Sequence, residues 1–314
     1  MTFLNISDEL NYQNIKYQVN KKLESMIVDE GYTLFEPTFF EDYELFVLKN
    51  KRVKKESMLK FIDSDGKILV LRPDITTSLM GQIIPKWQDQ TSLKIFYNST
   101  IFRRQSSGQR DAIRQFGIEL LGDNGRQADI DMLDLMLKIF NCFTLDYVVV
   151  ITNTRFLDSI IDELSLSESE YSQLKDILYR KSSYDLTLFL DQRIMDKNVK
   201  EILMNIFQLQ GSLMGIESTL KTFKLNQSTL EVFNDIKQTL TSVDMSKVMI
   251  DLSLVSMYDY YDGILFKGYV KGRMQDILSG GRYDPLTENY GKKIPAIGFT
   301  LNTQELVKEV LSNE

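Results

Sequence analysis

The sequence predicts an α+β fold built on a mostly antiparallel sheet. Three observations carry this. Short apolar strand segments occur in both the first and the last third of the 314-residue chain. Long blocks of helical periodicity separate them, and several turn signals of the hairpin type lie among them. Residues 163–245 contain no proline and are dominated by helical patterns, so this stretch reads as a helical insertion.

The elements follow in order. Residues 8–30 form an amphipathic helix, with Ile15, Val19, Leu23, Met26 and Ile27 as its stripe. Ser7 or Asp8 offers the cap and Gly31 the stop. Tyr32-Thr-Leu-Phe-Glu-Pro37 is extended, because proline disfavours the helical conformation in the residue before it. Ile68-Leu-Val-Leu71 is a short buried strand ending at Arg72-Pro73, and residues 94–103 and 113–121 are two further strands. Gln127 to Phe140 is a helix with a wide apolar face. Inside the insertion, Ser167-Glu-Ser-Glu170 is a capping box followed by Tyr171, Leu174 and Leu178 on one face. Val199, Ile202, Leu203, Ile206 and Phe207 make a second stripe, and Leu230, Phe233, Ile236 and Leu240 a third. Strand character returns at Val248 and runs to Leu301, with turns expected at Asp262-Gly263 and Gly280-Gly281. Asn302-Thr-Gln-Glu305 caps a last helix carrying Leu306, Val307, Val310 and Leu311.

Composition excludes several chemistries. There is no His, so there is no Ser-His-Asp or Cys-His pair, no HExxH zinc site and no imidazole base. The single Cys142 cannot make an internal disulfide or a Cys-rich metal site, and its apolar surroundings suggest a buried thiol. No metal and no cofactor is expected. A net charge of -7 argues against a broad nucleic-acid-binding face. No apolar run approaches the roughly 18 residues of a membrane span, and the first residues lack the pattern of a signal peptide. A cytoplasmic location is the expectation.

Strand alternation points to a polar site. Gln115, Gly117 and Glu119 share one face of their strand, while Phe116, Ile118 and Leu120 share the other. The glycine either leaves room for a ligand or backbone, or the face is simply solvated. Ala296, Gly298 and Thr300 repeat the theme as a pocket floor or a close helix contact. Tyr260 and Tyr261 can stack on a flat ligand or serve as core packing. Arg103-Arg104 can hold a phosphate or carboxylate, or form a solvated pair, and Gly280-Gly-Arg-Tyr-Asp284 can hold an anion behind its glycine turn. Asp74 reads as a helix N-cap. No P-loop and no GxGxxG occurs.

In this order the segments resemble the catalytic domain of histidyl-tRNA synthetase, a class II aminoacyl-tRNA synthetase-like fold. Glu30 to Pro37 through Tyr43-Glu-Leu-Phe46 is similar to that family's dimer-forming first motif. Leu71-Arg-Pro-Asp-Ile-Thr76 resembles its amino-acid-binding loop, and Ile101-Phe-Arg103 through Gln115-Phe-Gly-Ile-Glu119 its second motif. Asp259-Tyr-Tyr-Asp-Gly263 and Gly280-Gly-Arg-Tyr-Asp284 resemble its histidine signatures, and Pro295-Ala-Ile-Gly-Phe299 its third motif. The resemblance implies a histidine pocket. Asp74, Thr76 and Gln115 would face the ammonium, Glu119 and Tyr261 the ring with Tyr260 beside it, and Arg103 the carboxylate.

The departures redirect the function. Ser256 stands where a synthetase has an arginine contacting the reacting groups, Glu305 where it has an arginine gripping ATP, and Gln105 where it has a glutamate. Removing one positioned donor from such a site costs about 100- to 1,000-fold in rate, so adenylation is not expected. Only 15 residues follow Phe299, so no anticodon-binding domain and no tRNA partner are expected. A synthetase-like chain of this kind resembles the regulatory subunit of ATP phosphoribosyltransferase. That family is a non-catalytic partner of a short catalytic subunit, and histidine acts through it as a feedback effector. The resemblance also implies self-association as a two-fold dimer. The alternatives are a divergent, truncated synthetase-like enzyme, which would exchange pyrophosphate into ATP in the presence of histidine, and a pseudo-synthetase binding module with an unrelated partner.

Overall fold

A computed structural model describes residues 5–50, 53–104, 110–256 and 260–313. Gln105 with the loop after it, and Asp259, lie outside the described residues. Nine strands among the described residues form one sheet. Their order is Thr33–Leu34, Leu93–Arg104, Arg110–Leu121, Ala296–Asn302, Leu278–Arg282, Ile264–Val270, Tyr147–Asn153, Val248–Asp251 and Gln210–Gly211. The first pairing and that of Tyr147–Asn153 with Val248–Asp251 are parallel. The other six are antiparallel. A smaller sheet of three antiparallel strands, Phe40–Asp42, Ile68–Leu71 and Lys60–Ile62, stands beside it.

Alternation in the central strands sorts the residues onto two faces. Phe96, Phe116, Ile118, Leu120, Ile297, Phe299 and Leu301 point into the larger core, shared with the helices Ile6–Asp29 and Arg126–Cys142. Ile95, Tyr97, Leu121 and Ala296 point the other way, toward the helix Ile75–Ile83 and the tyrosines Tyr260 and Tyr283. The polar residues of the same strands share this second face. The strands are therefore fixed in register by apolar packing on one side and left free to carry chemistry on the other.

The first helix buries Ile15, Val19, Leu23 and Ile27 at a spacing of four, and each such burial stabilises by about 1.5–3 kcal/mol. Its cap is Asn5, whose side chain accepts from the Asp8 amide at 3.0 Å, so neither Ser7 nor Asp8 caps it. Gly31 ends it with a φ of +83°, which glycine adopts without steric cost.

Residues 163–245 form the helices Glu168–Tyr179, Ser183–Asp191, Lys197–Met204, Leu213–Leu220 and Gln227–Leu240. The reciprocal bonds of the Ser167/Glu170 capping box open the first of them. The stretch is not wholly helical, because Gln210–Gly211 closes the edge of the main sheet. Its Leu174, Leu178, Leu203 and Ile236 pack in the same core as the sheet. In the third stripe Phe233, Ile236 and Leu240 are buried as expected, but Leu230 is exposed and Thr229, bonded to Ser159, takes its place. Cys142 is half-buried at the end of its helix.

Gly280 and Gly281 do not form a turn. They lie inside the strand Leu278–Arg282, and the reason is crowding: a Cβ on Gly280 would overlap the Gly298 carbonyl and Phe299, and one on Gly281 the Ile264 carbonyl. Gly263 is at a turn as expected, with a φ of +124°. Among the described residues no helix is long and apolar enough to cross a membrane.

Candidate functional site

One buried cation organises the approach to the site. Arg72 is fully buried. Its guanidinium donates to the carbonyls of Thr100, Pro37 and Thr38 and to the Ser99 hydroxyl, and it lies over the Phe39 ring. Burial pulls its pKa below the ordinary value. These bonds bolt the Pro37–Thr38 segment and the strand Leu93–Arg104 to one point, and so fix where Pro73 and Asp74 emerge.

Asp74 caps the helix Ile75–Ile83, its Oδ1 accepting from the Thr77 amide at 2.8 Å. Its Oδ2 lies 3.8 Å from Nη2 of Arg103, whose Nε donates to the Pro73 carbonyl at 2.8 Å. The cap thus occupies one carboxylate oxygen, and the other is turned toward Arg103. Thr76, the second residue of the helix, donates its hydroxyl to Oε1 of Glu119 at 3.1 Å.

Glu119 is the most deeply buried of the seven residues, at 2% exposure. Tyr283 donates to its Oε2 at 2.6 Å, a length typical of a hydroxyl bound to an ionised carboxylate. Burial, and then the Glu119 charge, push the Tyr283 phenol well above its ordinary pKa, so it is a donor at neutral pH. Gly298 faces this carboxylate across the strand pair, and a Cβ there would overlap Oε2 and the Ile118 carbonyl. Gly117 makes room for the Tyr97 ring, whose hydroxyl bonds Oγ1 of Thr300 at 3.0 Å. The glycines on this face seat protein groups of the site. Tyr260 stacks at a tilt on Tyr261, with centroids 4.7 Å apart, and meets Tyr283 edge-on at 6.3 Å.

All seven residues singled out from the sequence, Asp74, Thr76, Arg103, Gln115, Glu119, Tyr260 and Tyr261, line one cavity of about 200 Å³. They come from four separate segments and meet above the polar face of the central strands. Tyr97, Asp276, Ser279, Tyr283 and Asn302 line it too and were missed. The parity that selects Gly117 and Glu119 also selects Tyr97 through its pairing with Gly117, but reading it requires the strand register.

One other reading is corrected, and two further positions are located. Arg282 is not a free anion holder, because Nε and Nη2 bond Oδ1 of Asp129 at 3.0 and 2.6 Å and Nη1 bonds the Asp123 carbonyl. The Asn302–Glu305 segment caps the last helix as expected, Asn302 accepting from the Gln304 and Glu305 amides, while the Glu305 side chain pairs with Arg273 at 2.6 Å and with Lys308. Ser256 is buried and lines a neighbouring cavity with Leu157, Asp158 and Lys175, which meets the first at Tyr261.

Comparison with known proteins points the same way. The histidyl-tRNA synthetase family model matches residues 11–306. An ATP phosphoribosyltransferase regulatory subunit of Clostridium botulinum is 32% identical over 306 residues, 94% of this chain and 72% of that protein. One from Bacillus cereus is 29% identical over 300 residues, 93% of this chain and 71% of its own. Among solved structures, an ATP phosphoribosyltransferase regulatory subunit/histidyl-tRNA synthetase from Bacillus halodurans superimposes with a TM-score of 0.85 at 24% identity, covering 95% of this chain and 79% of the other. A histidyl-tRNA synthetase from Nostoc gives 0.78 at 17% identity, covering 96% and 72%. At these identities the two structures show the fold, which is that of the class II synthetases. Family match and sequence identity together establish that the chain belongs to the histidyl-tRNA synthetase-like proteins and, among them, to the ATP phosphoribosyltransferase regulatory subunits.

Proposed function

We propose that the chain activates a short-form ATP phosphoribosyltransferase catalytic subunit and makes it sensitive to histidine, at the step that joins ATP and phosphoribosyl pyrophosphate. The observation that carries this reading is the convergence of the seven residues on one polar cavity in a chain of this family. In it, Asp74, Thr76 and Gln115 receive the histidine ammonium. Glu119 and Tyr261 hydrogen-bond the ring beside Tyr260, and Arg103 faces the carboxylate. Thr76 and Tyr283 both donate to Glu119, which supports its role as a preset acceptor for a ring N–H.

The reading gives the chain no adenylation chemistry of its own. Glu305, at the position where the resemblance would put a nucleotide-gripping arginine, is a carboxylate held by Arg273 and Lys308. Self-association is supported by the smaller sheet and the helix Tyr43–Lys49 that follows its first strand, which expose Phe40, Phe61, Ile62, Ile68, Leu45 and Leu48. The test is phosphoribosyl-ATP formation by the cognate catalytic subunit, with and without this chain and then with histidine. Strong activation reversed by histidine is expected. No activation would refute the reading, and histidine-dependent pyrophosphate exchange into ATP would replace it with the enzyme alternative.

A further inference from the structure

The charges lining the cavity are unbalanced. Asp74, Glu119 and Asp276 line it, and among the described lining residues Arg103 is the one cation. Arg103 is already engaged, with Nε on the Pro73 carbonyl and Nη2 facing Asp74 at 3.8 Å, and it is 31% exposed, where solvent screens its charge. Asp276 has neither a hydrogen bond nor an ion pair among the described residues. Its loop is held in place because Arg273, three residues earlier, is paired with Glu305 and Glu309. Glu119, which accepts from the Thr76 and Tyr283 hydroxyls, adds a second buried carboxylate to the lining. Most of the charged groups that meet a ligand here are therefore acceptors. An entering ammonium finds three carboxylates, whereas an entering carboxylate finds an excess of like charge and a guanidinium already facing an acid.

We infer that the cavity selects small primary amines carrying an imidazole, with the ligand's ammonium and ring supplying the affinity and its carboxylate adding little or opposing. This rests on the histidine reading above and adds Asp276 as a specificity-determining residue for the ammonium.

Calorimetric titration of the full chain at neutral pH with three probes tests it: histidine, histamine, which lacks the carboxylate, and imidazolepropionate, which lacks the ammonium. Histamine is expected to bind within threefold of histidine or more tightly, and imidazolepropionate at least 30-fold more weakly. Histidine binding more than tenfold tighter than histamine would overturn the inference and leave the histidine site standing. Failure of all three to bind would remove the site itself. Asp276→Asn is expected to weaken histamine about tenfold and imidazolepropionate not at all, the loss of one charge-assisted contact. Equal affinity for histamine in the two proteins, with the variant's melting temperature unchanged, would remove Asp276 from recognition.

Discussion

Replacing Tyr283 with Phe deletes one oxygen and keeps the ring, so the edge-on contact with Tyr260 and the packing of a nearly fully buried side chain are retained. What is lost is the 2.6 Å bond to Oε2 of Glu119. Glu119 is 2% exposed, so water does not readily replace the missing donor. A hydrogen bond to a charged group contributes about 1.5–3 kcal/mol, and a buried acceptor left short of a donor carries its desolvation cost as well. Tyr283→Phe is therefore expected to lower stability by about 2 kcal/mol, close to 1 M in urea midpoint for a slope of about 2 kcal/mol/M. Tyr97→Phe, which breaks only neutral contacts, with the Thr300 and Thr76 hydroxyls, is expected to cost about 1 kcal/mol. Urea unfolding of both variants beside the wild type gives the comparison. A Tyr283→Phe midpoint within error of wild type would refute the claim that this hydroxyl holds Glu119 in place.

Three further outcomes follow from the same geometry. Gly298→Ala sets a Cβ against both the Glu119 carboxylate and the Ile118 backbone, so a loss of about 3 kcal/mol is expected, and a melting temperature equal to wild type would contradict it. The folded-state pKa values of Tyr97 and Tyr283 are raised by burial, so their stabilising contribution is fully present below the unfolded value of about 10 and is lost as pH rises through the folded values. Stability should thus not fall between pH 7 and 9 on their account and should fall above pH 10; ionisation of all 15 tyrosines of the folded chain near pH 10 in a tyrosinate titration would contradict this. Leu48 and Ile62 are 74% and 71% exposed on the face assigned to self-association. The double substitution to Glu is expected to shift the sedimenting species toward monomer without altering the melting of the isolated fold, and an unchanged oligomer would place the interface elsewhere.

The site was legible where its residues sit on regular strands and in short motifs. Period-two alternation put Gln115, Gly117 and Glu119 on one face, and the register shows that face turned toward the cavity. What alternation could not give was the partner of each glycine. Gly117 reads as space for a ligand or a backbone and Gly298 as pocket floor or helix contact, while the space is taken by the Tyr97 ring and the Glu119 carboxylate from neighbouring strands. Tyr283, Asp276 and Asn302 were missed because their relevance depends on strands paired across more than 150 residues of sequence. Gly280-Gly281 looked like a turn because glycine pairs mark turns, yet here their lack of side chains admits neighbouring strands. Arg282 looked available for an anion because nothing local showed Asp129 waiting for it. The first helix, the capping box and the helical character of 163–245 were readable because their determinants are local.

The claim that joins site to function is that histidine controls the catalytic subunit through the Glu119 cavity. Its most direct measurement is the histidine concentration giving half inhibition of phosphoribosyl-ATP formation in the reconstituted complex, for wild type and for Glu119→Gln. The account expects that concentration to rise at least tenfold in the variant, about 1.4 kcal/mol of lost affinity. An identical concentration in both complexes would contradict it and place the inhibitory site away from this cavity.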